Sequence, residues 1–400
     1  MRARLGPLCV ATLPLAVWPD LARPFSDPKL IWLVVCTGVL LTVGGPGRVG
    51  VTTRALALLW IATFVAAGLL SPTPSPPAIV LGVIAPLFAL AVIRVQPTVS
   101  ALVGAQVIGA TACAAVALAQ WIGADPFVAA GWYPPIDGAS VRMRVYGTLG
   151  NPNFVGVVMA MSLPLTLAAL ASATPVWPRR LVWVALTAQA AALVATGSRG
   201  AVLGLGAAVA VYAVLRWTRR VRIGLAAVAL FAAAAIVVSP ARPIDTTAAG
   251  RLHLWRIVLP HVREAPLLGL GPGAVTVRFS DWQREAARGG VRDPRFAGLT
   301  DHVHNDYLEA LVERGVIGLL SVLAPLVAAI VVVARRPRPL PSVTAGALAA
   351  VAAGAACALV DFPLARATEL TWWWVALAVS LQPARAEAGA TVAPPSAPPV

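Results

Sequence analysis

The chain has 400 residues, of which 59% are hydrophobic and 12% are charged, and its mean hydropathy is +0.81. This composition excludes a soluble globular domain and predicts an all-α polytopic membrane protein. The net charge of +15 does not indicate nucleic-acid binding, because its distribution follows membrane topology, as described below. Four cysteines lie singly within apolar runs and are expected to be buried hydrophobic residues, neither disulfides nor metal ligands: Cys9, Cys36, Cys113 and Cys357.

Twelve apolar segments are predicted to cross the membrane, at residues 5–18, 30–43, 55–70, 78–93, 99–122, 154–173, 181–198, 200–215, 222–239, 306–334, 343–360 and 369–381. The first follows Arg2 and Arg4, as in a signal peptide, but no small-residue cleavage site comes after it. It is therefore predicted to be a retained span. Residues 1–382 are predicted to form one membrane domain, and the Ala- and Pro-rich residues 383–400 a disordered tail.

The charged residues predict the orientation of these spans. Twelve spans place both termini on one side, and the loops of that side hold 15 basic residues and one acidic residue, Glu387. The opposite side holds 16 basic and 15 acidic residues. Since positive charge is retained in the cytoplasm, the sequence predicts cytoplasmic termini, a bacterial inner-membrane location and a nearly charge-balanced periplasmic face.

Two predicted periplasmic loops are long. Residues 123–153 end in a turn-forming run that leads into the sixth span, and residues 240–303 form the largest polar segment. Within the second loop, residues 247–263 are predicted to form an amphipathic helix with one apolar stripe, namely Leu252, Trp255, Leu259 and Val262. Arg251 and Arg256 lie on opposite edges of this stripe, so the helix is predicted to lie on the bilayer surface.

Residues 301–318 join a polar segment to an apolar one. Asp306 and Glu309 have the spacing of a capping box, which predicts a helix that begins at Asn305 or Asp306 with both carboxylates in its first turn. His302 and His304 then lie just outside a membrane helix. A titratable imidazole held at this position is suited to catalysis. The alternative is that the polar cluster only caps the helix.

An arginine follows the seventh predicted span. Short outer loops tend to avoid arginine, so Arg199 is a candidate functional residue, and a snorkelling interfacial side chain is the alternative. Arg199, Arg251 and Arg256 all map to the predicted outer face. Arginine suits phosphate groups because its planar fork makes bidentate, permanently charged hydrogen bonds. Arginines beside a histidine indicate a diphosphate leaving group and a base for an incoming hydroxyl.

Missing motifs narrow the class of enzyme. The chain has no P-loop motif, and residues 269–273 lack the spacing of a dinucleotide-binding loop and are predicted to be a turn. It also has no Asp-x-Asp pair, so neither a metal nor another cofactor is expected. A divalent ion held by the acidic residues and histidines of 301–306 is a minor alternative. A transferase in the periplasm, which lacks ATP, needs an activated donor such as a lipid-linked diphosphate sugar.

Several motifs resemble one family. His304-Asn305, followed after nine residues by Gly315-Val-Ile-Gly318, resembles the signature of bacterial O-antigen ligases and the related O-antigen polymerases. Further matching segments are 147–153, 198–203, 251–256 with 266–271, and 361–364. The resemblance covers roughly residues 140–380. It implies a twelve-span glycosyltransferase fold of the lipid-sugar type, similar to GT-C enzymes, with a periplasmic loop over the site.

The resemblance also implies residue roles. Arg199 and Arg256 would hold the diphosphate, and His304 would deprotonate the acceptor hydroxyl. Arg251 is the alternative to Arg256 at the donor. Five residues of the predicted periplasmic face are predicted to bind substrate: Arg251, His302, Asn305, Asn151 and Asn153.

The predicted function is metal-independent, inverting transfer of a glycan from a polyprenyl (undecaprenyl) diphosphate carrier to a hydroxyl acceptor. Lipid A–core is the first acceptor considered. Repeat-unit polymerisation and protein O-glycosylation remain open, because they use the same residues. A transporter or flippase for lipid-linked sugars is an alternative of another class, and it predicts charged residues in mid-membrane. A non-catalytic scaffold is the third class and predicts no special role for His304.

Overall fold

A computed structural model describes residues 2–45, 47, 49–132, 145–172, 177–216, 244–337 and 339–382. These residues contain helices and no strand. The α-helices are, in chain order, α1 (Arg2–Thr12), α2 (Asp27–Val43), α3 (Val51–Leu70), α4 (Pro76–Arg94), α5 (Val99–Trp121), α6 (Pro126–Ala129), α7 (Pro152–Leu170), α8 (Arg179–Thr196), α9 (Arg199–Arg216), α10 (Ile244–Val258), α11 (Ala274–Arg288), α12 (Asp306–Ala334), α13 (Ser342–Cys357) and α14 (Ala367–Leu381). Short 3-10 helices occupy Leu13–Leu15, Leu259–Glu264, Pro294–Phe296 and Pro363–Ala365.

The helices follow the apolar segments of the sequence. Eleven of the twelve predicted segments coincide with a helix, and the twelfth, 222–239, lies outside the described residues, as does the predicted tail 383–400. Six of the described helices are long and apolar enough to cross a membrane: α3, α4, α5, α7, α9 and α12. A polytopic helical membrane protein is therefore confirmed, whereas the count of twelve spans stays a prediction.

The first helix is part of the core. α1 packs against α5, and Val10 and Leu13 are fully buried. The indole Nε1 of Trp372 donates a hydrogen bond of 3.1 Å to the carbonyl oxygen of Val10. The segment predicted as a retained span thus contributes directly to the packing of the helical bundle.

The last described helix, α14, lies at the centre of the bundle. It contacts α4, α7, α12 and α13, and every residue from 368 to 380 is buried. The three consecutive tryptophans Trp372, Trp373 and Trp374 are at most 1% exposed. Every face of α14 is therefore covered by other parts of the protein. The loop that precedes it, 358–366, therefore lies in the middle of one end of the bundle.

The loops group at two ends, as their predicted alternation requires. At one end, which we call the outer end, Nζ of Lys29 donates to the carbonyl of Thr148 at 2.7 Å. At the opposite, inner end, Nη1 of Arg216 donates to the carbonyl of Leu340 at 2.6 Å. That the outer end faces the periplasm remains a prediction.

The described part of the long loop 240–303 folds around a small core of its own. α10 and α11 pack around a hydrophobic cluster to which Val303 and α12 also contribute side chains. Its buried residues are Leu254, Ile257, Val258, Leu270, Ala274, Val275, Phe279, Trp282, Val303 and Val312. The long loop is therefore a compact cap that is packed on the start of α12.

The apolar stripe predicted for this loop is not the main face of α10 that packs on the loop core. Leu252 and Leu259 are 51% and 49% exposed, whereas Ile257 and Val258 are buried. α10 thus has a second apolar face, which the sequence analysis missed and which faces the loop core. The α-helix also ends at Val258, earlier than predicted, because Pro260 has no N–H to continue it. Placement of the exposed stripe on the bilayer remains a prediction.

The segment predicted as one continuous span, 306–334, is a broken helix. Gly315 has φ 66° and ψ −166°, which only glycine adopts readily, and it divides α12 into 306–314 and 316–334. At 1.5 Å per residue the second half is about 28 Å long, nearly the thickness of the hydrocarbon core. The charged first half therefore lies on the outer side of the break.

A glycine-rich loop fills the break. The N–H of Val316 donates to the carbonyl of Pro266 at 2.9 Å, and the N–H of Gly271 donates to the carbonyl of Glu313 at 2.8 Å. A Cβ atom on Gly269 would lie 2.2 Å from the carbonyl carbon of Glu313, so a side chain is excluded there. The sequence predicted only a turn, at 269–273. The backbone of residues 266–271 is also hydrogen-bonded to the broken helix.

Candidate functional site

The start of α12 is fixed by Asn305. Its Oδ1 accepts hydrogen bonds from the N–H groups of Tyr307 at 3.1 Å and Leu308 at 3.0 Å. The predicted start of the helix is confirmed, but the predicted capping box is wrong. Because Asn305 is the N-cap, Glu309 is the fourth helical residue, one position beyond the capping-box site. Glu309 turns away from the helix end to the preceding loop.

His302 is held by this buried carboxylate. Its Nδ1 lies 2.7 Å from Oε1 of Glu309, and the N–H of Val303 donates to the other oxygen, Oε2, at 2.9 Å. The His302 ring also stacks on Phe362, with ring centroids 4.2 Å apart. Both carboxylate oxygens are therefore engaged, and His302 is locked in place beside the site.

His304 faces a second buried carboxylate. Its backbone has φ 54°, a left-handed conformation that is uncommon for a residue other than glycine and is often found at functional sites. Its Nδ1 lies 3.6 Å from Oδ1 of Asp361; the His304 side chain is 35% exposed and that of Asp361 is 4% exposed. The 3.6 Å separation exceeds a hydrogen bond, but such contacts in unliganded enzymes commonly tighten in the substrate complex. A carboxylate at Nδ1 orients the imidazole and leaves Nε2 able to accept a proton.

Of the two arginines of α10 named in the sequence analysis, Arg251 is the less exposed. It is half-buried; burial lowers its pKa below the ordinary value, and the charge of Asp361 acts in the opposite direction. Arg256 is exposed. The two lie five residues apart, about 140° around a helix, so they point in different directions. The geometry thus favours Arg251, the residue that the sequence analysis ranked below Arg256.

Arg199 is the first residue of α9 and is exposed. The next residue, Gly200, lies against the loop that carries Asp361: a Cβ built on it would be 3.2 Å from Cγ2 of Val360. Its carbonyl also accepts a hydrogen bond from Sγ of Cys357 at 3.4 Å. The fold therefore brings the start of α9 next to the segment that carries Asp361.

The predicted asparagines Asn151 and Asn153 lie at the start of α7, which is also at the outer end. Asn151 is the N-cap of α7, and its Oδ1 accepts from the N–H of Asn153 at 2.8 Å. The residue that follows, Phe154, packs edge-on against Phe362 with centroids 5.5 Å apart. Asn151, like Asn305, has a structural role in capping a helix, and a role for either or for Asn153 in substrate binding remains a prediction.

Three residues of the site received no role in the sequence analysis: Asp361, Phe362 and Arg366. Phe362 is the shared contact, since His302, His304 and the guanidinium of Arg366 (4.6 Å from the ring centroid) all touch it. Burial lowers the pKa of Arg366, while the charges of Glu369 and Asp361 oppose this effect. The resemblance included 361–364 without a chemical role. The argument applied to Arg199, an arginine in a short outer loop, applies equally to Arg366.

Comparisons with known proteins match the central part of the chain. Residues 182–323 match a family model described as O-antigen ligase. This region is similar to the O-antigen ligase family. The family region includes Arg199, Arg251, Arg256 and His304 and ends before Asp361. The resemblance predicted from the sequence is thus confirmed for this range.

One curated relative matches part of the chain. The exopolysaccharide production protein ExoQ of Rhizobium meliloti (strain 1021) is 37% identical over 110 residues, which cover 26% of this chain. The same match covers 24% of ExoQ, so the chain spans about a quarter of that relative's length.

Proposed function

We propose that the protein transfers a glycan from a polyprenyl diphosphate carrier to a hydroxyl acceptor at the periplasmic face of the bacterial inner membrane. The observation that carries this proposal is the imidazole of His304 beside the buried carboxylate of Asp361. The O-antigen ligase match over residues 182–323 supports the same reaction class.

The reaction begins with proton removal. Nε2 of His304 accepts the proton of the acceptor hydroxyl, and the oxygen attacks the anomeric carbon of the donor. The bond from that carbon to the diphosphate oxygen breaks, the lipid diphosphate leaves with the electron pair, and the configuration inverts. The carboxylate of Asp361 stabilises the imidazolium that forms at His304. General-base catalysis of this kind contributes about 10²- to 10⁴-fold in rate.

Arginines stabilise the leaving group. Charge grows on the diphosphate oxygen in the transition state, and fixed cations aimed at it usually make a large contribution. Arg251 and Arg199 are the donor residues that we propose, and Arg256 is the alternative to Arg251. Because guanidinium groups neutralise the diphosphate, the reaction is expected to proceed without a metal ion.

Three versions of the reaction differ in the acceptor that receives the glycan. Ligation to lipid A–core is the version that we put first. Elongation of a polysaccharide is the second, and the name of the relative ExoQ, an exopolysaccharide production protein, favours it. Transfer to a protein hydroxyl is the third.

The distribution of charge in α12 disfavours a transporter. A transporter of anionic lipids is expected to carry charged residues in mid-membrane. In α12 all charged residues precede Gly315, and 316–334 contains none. The charges of this helix are thus confined to the outer side of the break, next to the proposed site.

A transfer assay tests the proposed function. The full chain is purified into lipid nanodiscs and supplied with an undecaprenyl diphosphate-linked glycan and, separately, with lipid A–core, a second donor molecule or an acceptor protein. Product on one acceptor identifies the version of the reaction, and Asp361→Asn is expected to slow that reaction at least tenfold. Absence of product with every acceptor, or full activity of Asp361→Asn, would contradict the proposal.

A further inference from the structure

A cavity of about 460 Å³ opens at the outer end, beside the site. The segment before α2, the start of α4, the start of α12 and the start of α14 line it. His302 and Arg366 belong to its wall, and both contact Phe362, the ring that His304 touches from another side. The cavity and the His304–Asp361 pair are therefore neighbours separated by one aromatic ring.

The start of α14 brings unpaired polar atoms to this cavity. Arg366, Thr368 and Glu369 line it, and Nε of Arg366, Oγ1 of Thr368 and Oε1 of Glu369 have no hydrogen-bond partner among the described residues. Thr368 is 0% exposed and Glu369 is 3% exposed. Buried polar atoms are costly unless they are paired. A ligand that both donates and accepts hydrogen bonds would satisfy all three.

The polar groups of the wall indicate the chemistry of that ligand. Six carboxyl groups and four basic side chains line the cavity, and the basic ones are Arg23, Lys29, Arg314 and Arg366. Two of these four are already engaged: Lys29 donates to two backbone carbonyls, and Arg314 donates to Thr63 and Ser321. Three of the carboxyl groups are engaged as well, those of Asp306, Glu309 and Glu313. The remaining groups of both kinds can donate hydrogen bonds to hydroxyls and accept hydrogen bonds from them.

Aromatic rings complete the wall. Phe25 and Phe154 line the cavity, and the guanidinium of Arg366 lies 4.1 Å from the ring centroid of Phe154. Apolar rings suit the C–H faces of a sugar, while the carboxylates suit its hydroxyls. The combination fits a hydroxyl-rich ligand.

We infer that this cavity binds the terminal sugar of the glycan acceptor. Arg366, Thr368 and Glu369 hold the sugar by its hydroxyls, and the reacting hydroxyl is delivered past Phe362 to Nε2 of His304. Donor and acceptor are thereby separated, because the diphosphate lies with Arg251 near Asp361 and the sugar lies in the carboxylate-rich cavity. This assignment rests on the proposed function, since it names the acceptor part of the same site.

Kinetics with each substrate varied in turn test the assignment. Thr368→Val removes one hydroxyl at constant shape, and it is expected to raise the KM for the acceptor about 5- to 10-fold, the effect of one lost hydrogen bond. Glu369→Gln is expected to raise it at least tenfold, because a charged acceptor atom is lost. The KM for the donor is expected to stay within about twofold in both variants.

Thr371→Val is the matched control. Thr371 lies one turn further along α14, it is fully buried, and its Oγ1 also has no hydrogen-bond partner among the described residues, but it does not line the cavity. Its substitution is expected to leave the acceptor KM unchanged. If Thr371→Val raises the acceptor KM as much as Thr368→Val, the effect comes from helix packing and the assignment is wrong.

A binding measurement separates this inference from the proposed function. Saturation-transfer NMR with the full chain in nanodiscs uses methyl β-D-galactoside and methyl α-D-glucoside as probes and sodium pyrophosphate as competitor. At least one glycoside is expected to bind, to be weakened by Glu369→Gln, and to resist displacement by pyrophosphate. Binding of neither glycoside, or displacement by pyrophosphate, overturns the assignment. If wild-type protein transfers no glycan while a glycoside binds in this way, the proposed function fails and the sugar site stands.

Discussion

Arginines at the two ends of the bundle make different kinds of contact. At the inner end, Arg216 donates to the carbonyl of Leu340, and Arg336 donates to the carbonyls of Ser380 and Gln382. At the outer end, Arg251 is half-buried, and Arg366 lies over aromatic rings with its Nε unpaired among the described residues. The inner arginines tie loops together, whereas Arg251 and Arg366 retain the capacity to bind an anion or a hydroxyl.

This difference separates topology from chemistry. A positively charged inner side is a general property of membrane proteins, so arginine there carries little information about function. Arginine on the outer side is not explained by that rule. The predictions that follow test whether activity depends on the outer end alone.

The largest expected effect is at His304. His304→Ala removes the proposed base and is expected to lower the rate of glycan transfer at least 100-fold, as loss of a general base does. The protein is expected to remain in the membrane, because His304 precedes α12. His302→Ala is the comparison, and a milder loss of transfer is expected for it. The transfer rate and the membrane fractionation of the two variants are measured. Normal turnover of His304→Ala with every acceptor would show that the histidine is not the base.

Arginine-to-lysine exchanges at the two ends give the next effect. Arg251→Lys keeps the charge but loses the bidentate fork, and we expect roughly a tenfold loss of kcat/KM for the donor, with a similar loss for Arg199→Lys. The inner-end control, Arg216→Lys, is expected to transfer at the wild-type rate. Steady-state kinetics on matched amounts of inserted protein measure this. Equal losses for Arg251→Lys and Arg216→Lys would remove the distinction between the two ends.

The same assay decides between the arginines of α10. Because Arg256 is exposed and points away from Arg251, Arg256→Lys is expected to cost less activity than Arg251→Lys. The opposite order would restore the assignment made from the sequence alone.

The break in α12 gives an effect on stability. Gly315→Ala forces a side chain into a left-handed backbone conformation, where a Cβ would lie 2.2 Å from the carbonyl of Leu267. We expect a loss of about 1–3 kcal/mol in the free energy of unfolding, seen as a lower Tm in nanodiscs. Gly206→Ala is the control, because nothing lies within 4 Å of a Cβ at that position. An unchanged Tm for Gly315→Ala would mean that the break is absent in the native protein.

No effect is expected from metal removal. Transfer by the purified protein is expected to continue at the same rate in excess EDTA, since guanidinium groups are proposed to neutralise the diphosphate. Loss of activity that Mg²⁺ or Mn²⁺ restores would assign the acidic residues around His302 to a metal site.

The sequence predicted helices well because apolar runs of this length have few other stable structures. It did not predict the break in α12, since a single glycine in an apolar run such as Gly315 is common in unbroken helices. The face of α10 that packs on the loop core was missed, because periodicity finds apolar faces but not which one the fold covers.

The candidate site was predictable only in part. His304 and the arginines were found from local motifs and from topology, which the sequence contains. Asp361 and Phe362 were missed as partners of His304 because they follow the next helix, and their contact depends on α14 lying at the centre of the bundle. Nothing local in Ala367–Leu381 distinguishes a central helix from a peripheral one.

The loop inserted in the break of α12 has a consequence for the depth of the reaction. Residues 266–271 lie between α10 and α11, and their backbone is hydrogen-bonded to both sides of Gly315. The outer cap is thus fastened at its middle to a membrane anchor and cannot swing as a lid hinged at its ends. The height of Arg251 above the lipid is fixed by 316–334, the apolar half of α12. The diphosphate of a lipid carrier is likewise held at one depth in the membrane by its lipid tail. The cap and the diphosphate are therefore at a fixed height relative to each other, whatever the length of the attached glycan.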